Sequence, residues 1–77
     1  MKIFKPGKRF NVSGVHIRRL REEHGYSQEY LCTKLQLLGL DINQKAISRI
    51  ECGHRIVPDY ELLYFAKVFD VDVKDLL

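Results

Sequence analysis

Apolar positions recur along this chain at helical spacing. Ile17 and Leu20 share a face with His24, and Leu31, Leu35 and Leu38 mark the inner side of a second segment. Ala46, Ile47 and Ile50 form a third stripe, Leu62, Leu63, Ala66 and Phe69 a fourth, and Val73, Leu76 and Leu77 a short fifth. The pattern predicts an all-α fold of five short helices with no strand. Polar punctuation sets the expected ends. Ser13 is placed to cap the first helix, which stops before Gly25, and Ser27 caps the second, with Glu29 in its first turn. A connector from Gly39 to Ile42 leads to a third helix over about Gln44 to Cys52, capped by Asn43 and closed by Gly53. Asp59 is the expected cap of the fourth helix, and Asp72 and Asp75 frame the start of the fifth. Residues 1–12, broken by Pro6 and Gly7, read as an irregular basic segment ahead of one folded domain over 13–77.

The third helix carries the most informative pattern. Its Ala46, Ile47 and Ile50 stripe anchors it, and Gln44, Lys45, Ser48 and Arg49 fall on the other side. Amide and cationic tips match the donor and acceptor patterns of adenine and guanine in a major groove. A helix held by one face and offering these groups on the other is equipped to read DNA.

Two charges sit at the edges of apolar stripes. Arg21 flanks Ile17 and Leu20, and Glu51 flanks Ile47 and Ile50. A partly buried charge needs a partner, so a pairing of Arg21 with Glu51 across the first and third helices is expected. Arg18 and Glu22 point away from the stripe.

Charge sharpens this picture. The formal net charge is +3, but residues 1–21 alone carry +7 and no acid, whereas residues 58–77 carry −3. A basic front and an acidic back suit a surface that faces a polyanion. Lys2, Lys5, Lys8 and Arg9 offer a basic arm for phosphates, with a frayed terminus as the plainer alternative.

Other chemistry is excluded by spacing. Cys32 and Cys52 form no CxxC pair and read as free thiols of a reduced compartment, Cys32 as a small core filler. Cys52 and His54 lack zinc-module spacing, and His16 and His24 do not stack on one helix face, so no metal or other cofactor is expected. No nucleophile–base arrangement or phosphate loop points to an enzyme. No apolar run approaches the roughly 20 residues needed to span a bilayer, and the N-terminus is too short and broken for a signal peptide. The expected location is cytoplasmic.

Four segments in order resemble the helix-turn-helix family of phage repressors and Xre-type bacterial regulators. They are Ile17 to Arg21, His24 to Leu31, Ala46 to Gly53 and Glu61 to Val71. The resemblance implies a compact, lambda-repressor-like bundle of five helices whose second and third helices form the DNA-binding unit. It implies that Gln28 contacts a phosphate and that Gln44, Lys45 and Arg49 face the bases, with Ser48 between them. It also pairs an Arg at the position of Arg21 with a Glu at that of Glu51. The chain departs from the pattern in its longer connector, Gln36 to Ile42, and in Cys52, which replaces a more usual polar residue while still offering a backbone N–H.

The implied function is sequence-specific binding of double-stranded DNA by a small transcriptional regulator, a repressor acting by promoter occupancy. Arg18, Arg19, Gln28, Asn43, His54 and Arg55 are the expected phosphate contacts. One such head covers few base pairs, so a homodimer on DNA is expected, with Tyr60, Tyr64, Phe65, Leu76 and Leu77 as candidates for its surface. The alternative is a protein-interaction module on the same fold, an antitoxin or adaptor that binds a partner protein.

Overall fold

The computed structural model describes residues 9–77, and Lys2, Lys5 and Lys8 lie outside them. The described residues form four α-helices, α1 (Ser13–Glu23), α2 (Gln28–Leu37), α3 (Gln44–Glu51) and α4 (Asp59–Phe69), then a 3-10 turn over Val73–Leu76. No strand occurs among them. The expected fifth helix is therefore a single tight turn. Four residues cannot repay the cost of nucleating an α-helix, and the Asp72 N–H donates to Asp75 Oδ2 at 3.2 Å, which closes the turn locally.

Two caps differ from expectation. Ser13 is the first residue of α1 and is buried, and the turn is closed from Asn11, whose Oδ1 accepts from the Gly14 N–H at 2.8 Å. Pro58 takes the cap position of α4, its ring fixing the extended entry, so Asp59 contributes only its charge to the first turn. Ser27 and Asn43 do cap α2 and α3, accepting from Tyr30 N–H at 3.0 Å and Ala46 N–H at 2.8 Å.

The core joins Ile17 and Leu20 of α1, Leu31 and Leu35 of α2, Ile47 and Ile50 of α3, Phe65 and Phe69 of α4, and Leu76. Leu40 and Ile42 of the connector are also buried. Leu38, expected inside, is 37% exposed, because α2 stops at Leu37 and the connector residues fill the space beneath it. Leu63, also expected inside, is 62% exposed. The inward stripe of α4 runs through Leu62, Phe65, Ala66 and Phe69, the i, i+3, i+4, i+7 series, and Leu63 falls beside it. Phe65 and Leu76 are fully buried and belong to the core rather than to a surface for a second copy, whereas Tyr60 and Leu77 are exposed.

The connector is longer than a tight turn but ordered. The Ile42 carbonyl accepts from Gln36 Nε2 at 2.8 Å and from the Cys32 thiol at 3.5 Å, which ties the entry of α3 to α2. Asp70 ends α4 at φ 56°, in the left-handed region that costs a residue with a Cβ about 1 kcal/mol or more. Replacing Asp70 with Gly is expected to stabilise the fold by about 0.5–1 kcal/mol, measured as a rise in thermal midpoint.

Candidate nucleic-acid interface

The short helix α3 divides its side chains by environment. Ile47 and Ile50 are fully buried, and Ala46 is half-buried against the same core. Gln44, Lys45 and Arg49 are exposed, and Ser48 is half-buried between them. Positions 44, 45, 48 and 49 follow the i, i+1, i+4, i+5 series, so they share one face. Among the described residues, none of Gln44, Lys45 and Arg49 spends its side chain on a hydrogen bond or ion pair.

One flank of α3, between the buried stripe and the exposed face, is held by a buried carboxylate. The Glu51 side chain is 2% exposed and meets Arg21 as a two-pronged pair, with Nε to Oε2 at 2.7 Å and Nη2 to Oε1 at 3.0 Å. Arg21 Nη1 donates to the Tyr26 carbonyl at 2.8 Å, and Gln28 Nε2 donates to Glu51 Oε1 at 3.0 Å. One carboxylate thus joins α1, the turn after it, the start of α2 and the end of α3. The hydrogen bond to Glu51 raises the Arg21 pKa above its already high ordinary value, so its charge persists across any physiological pH.

The expected phosphate contacts separate into groups. Arg18 and Arg19 lie exposed on α1, in surface pairs with Glu22 at 3.5 Å and Glu23 at 3.2 Å. Such pairs are weak and yield readily to a polyanion. Asn43 is exposed but uses Oδ1 as a cap, leaving its NH2 group. His54 is exposed just past Gly53, its backbone N–H donating to the Arg49 carbonyl at 2.8 Å. Gln28 is half-buried and already gives its amide hydrogen to Glu51.

Arg55 is differently employed. Its guanidinium forks onto Glu61, with Nη1 to Oε1 at 2.6 Å and Nη2 to Oε2 at 2.9 Å, and the Glu61 side chain is 2% exposed. The bond to Glu61 raises the Arg55 pKa. This second ion pair welds the loop after α3 to α4. The sign of it in the sequence is the position of Glu61, which shares the i, i+4, i+8 face of Phe65 and Phe69.

The segment before α1 supplies two further residues. Asn11 is buried, and its Nδ2 donates to the Ile50 carbonyl at 3.0 Å and the Arg55 carbonyl at 2.7 Å. Arg9 Nη2 donates to the Glu51 carbonyl at 3.0 Å. Its guanidinium lies against Gly53, where a Cβ would come within 2.8 Å of it. Residues 9–12 are therefore bound to the domain. Nothing in their own composition points to contacts with residues 50–55.

Two substitutions separate these roles. Glu51→Gln leaves the Arg21 charge without its counter-ion and is expected to cost about 3 kcal/mol, read as a drop in Tm of about 10 °C or more. Arg55→Ala strands the Glu61 carboxylate and is expected to destabilise by a similar amount, about 3 kcal/mol. Thermal unfolding without DNA checks both.

Comparisons with known proteins place the fold. A family model described as helix-turn-helix matches residues 17–76. No curated protein matches the chain. Among solved structures, the chain is similar to the restriction-modification controller protein C.AhdI from Aeromonas hydrophila, with 26% sequence identity and a TM-score of 0.74. That likeness covers 84% of this chain and 91% of the controller protein. Among the described residues no helix is long and apolar enough to cross a membrane. The chain belongs to the helix-turn-helix family of DNA-binding transcriptional regulators, of the Xre and phage-repressor type.

Proposed function

We propose that this chain binds a specific double-stranded DNA site by laying α3 in the major groove, and that it regulates transcription by occupying a promoter, as a repressor. The observation that carries the reading is the face of Gln44, Lys45 and Arg49. It is exposed and unspent, on a helix whose other side is fixed by Ile47 and Ile50 and whose flank is held by Glu51. A rigid, presented set of donors loses little entropy on binding and keeps its register against the bases.

In this reading Gln44 selects adenine, and Lys45 or Arg49 selects guanine, with Ser48 close enough to reach a base or a sugar–phosphate oxygen. Arg18, Arg19, Asn43 and His54 hold the backbone, and the start of α2 with Gln28 offers N–H groups to one phosphate. Arg55 leaves that set, because its guanidinium is committed to Glu61. The likeness to a restriction-modification controller supports a role in controlling gene expression.

A second copy completes the site. Two heads on half-sites roughly 34–36 Å apart would double the sequence read, and the exposed Tyr60, Leu63 and Leu77 with the half-buried Tyr64 are the surface we assign to pairing.

In-vitro selection from a random duplex library tests the proposal. A two-fold symmetric site is the expected product, bound with affinity that falls steeply with salt yet keeps its sequence preference. Arg49→Ala should erase preference at one base pair of each half-site, a loss of about 1–3 kcal/mol in discrimination, while leaving thermal stability unchanged. A selected pool with no consensus, or an Arg49→Ala profile identical to the parent's, would overturn it.

A further inference from the structure

We propose that Arg9 and Asn11 are positioning residues for base selection: they form a rear clamp that sets where the last turn of α3, and with it Arg49, lies against the DNA. The inference rests on the reading of α3 as the recognition helix.

α3 has only eight residues, so its direction depends on what holds its two ends. The front is held by the Asn43 cap and by the Ile42 carbonyl, which Gln36 Nε2 engages at 2.8 Å. The rear is closed by its own chain. The Gly53 N–H donates to the Ile50 carbonyl at 3.0 Å, and the His54 N–H donates to the Arg49 carbonyl at 2.8 Å. These bonds satisfy the helix end in the usual way for a glycine-terminated helix. The helix therefore needs nothing from the N-terminal segment in order to stop.

Yet that segment adds donors to the same helix end, to the Ile50 carbonyl that Gly53 already bonds and to the carbonyls of Glu51 and Gly53. Asn11 Nδ2 reaches the Ile50 carbonyl at 3.0 Å, and Arg9 Nη2 reaches the Glu51 carbonyl at 3.0 Å and the Ile50 carbonyl at 3.5 Å. The Phe10 N–H donates to the Gly53 carbonyl at 2.8 Å. These bonds act sideways, between α3 and α1. Asn11 also accepts from the Gly14 N–H at 2.8 Å, so one buried amide fixes the start of α1 against the end of α3. Gly14 lets the two backbones touch, since the Ile50 carbonyl oxygen occupies the space a Cβ would take. The job left for these contacts is placement.

Placement matters unevenly along the helix. Arg49 is adjacent to Ile50 and moves with the rear, whereas Gln44 follows the front. A hydrogen bond to a base edge weakens steeply once donor and acceptor part by more than a few tenths of an ångström. Loosening the clamp therefore blurs the base pair read by Arg49 and spares the one read by Gln44. A purely stabilising role would instead scale down all binding together.

The test compares selection profiles of the parent chain with those of Asn11→Ala, Arg9→Ala and Arg9→Lys, at a temperature where circular dichroism shows each folded. The Arg49 base pair is identified beforehand from the Arg49→Ala profile. Asn11→Ala changes no charge, and half-exposed Arg9 provides a second route should the asparagine variant fail to fold. Both alanine variants are expected to lose about fivefold or more of the preference at the Arg49 base pair, with the Gln44 position within about twofold of the parent. Arg9→Lys, which keeps a donor and the charge, should recover most of the loss. Equal flattening at every position, or profiles matching the parent's, would overturn the clamp while leaving DNA reading intact. A parent chain with no preference at all would overturn both.

Discussion

A carboxylate withdrawn from water decides the geometry of the whole domain. Glu51 ends α3, yet its side chain is satisfied by Arg21 of α1 and Gln28 of α2. Burying such a charge is expensive, and a well-packed apolar trio of similar size would serve stability as well or better. What the ionic arrangement adds is direction. A two-pronged guanidinium–carboxylate contact has one good geometry, so three helices that could slide past one another on smooth aliphatic surfaces are held in one relation. Gln28 stands at the start of α2 and Glu51 at the end of α3, so the same contact fixes these two helices to each other.

The cations of the described residues divide by employment. Arg9, Arg21 and Arg55 spend hydrogen bonds on the protein itself, on helix-end carbonyls or on buried carboxylates. Arg18 and Arg19 sit in loose surface pairs. Lys45 and Arg49 are left open on α3. Lys34 lies over the Tyr26 and Tyr30 rings, Lys74 makes a loose contact with Asp72, and Lys67 is exposed on α4. A formal excess of positive charge therefore overstates what any one surface has available to neutralise phosphates. Free and committed arginines are indistinguishable in a net charge and distinct in a structure.

Much of the fold is legible in the sequence because hydrophobic spacing is a local property. The stripes of α1 and α3, the Ser27 and Asn43 caps and the closing Gly53 all follow from residues within a turn or two of one another. The Arg21–Glu51 contact is legible by a simple rule, that a charge at the edge of an apolar stripe must find its opposite. The same rule applied to Glu61 would have led to Arg55, but Glu61 lies beside Asp59 in an acidic first turn and passes for ordinary helix-start chemistry. The clearest failures are long-range. No spacing reveals that Asn11 bonds the carbonyls of Ile50 and Arg55, since backbone acceptors carry no side-chain signature. The misplacement of Leu38 and Leu63 has a different origin: leucine favours helices wherever it points, and a stripe read one residue wide of its true centre changes which leucine faces water.

The span of the Asn11 contacts has a consequence for how the protein is born. A chain made from its N-terminus onward exposes Asn11 early, and its most distant partner, the Arg55 carbonyl, only 44 residues later. At synthesis rates of about 5–20 residues per second, helix formation is finished many times over in that interval. α1 and α2, of 11 and 10 residues, sample helix repeatedly in that time but are marginal on their own, while the amide of Asn11 still lacks its distant partners. The strap over residues 9–11 precedes its partners in synthesis and docks only after they follow, so the position of the rear of α3 is settled once residue 55 has been made.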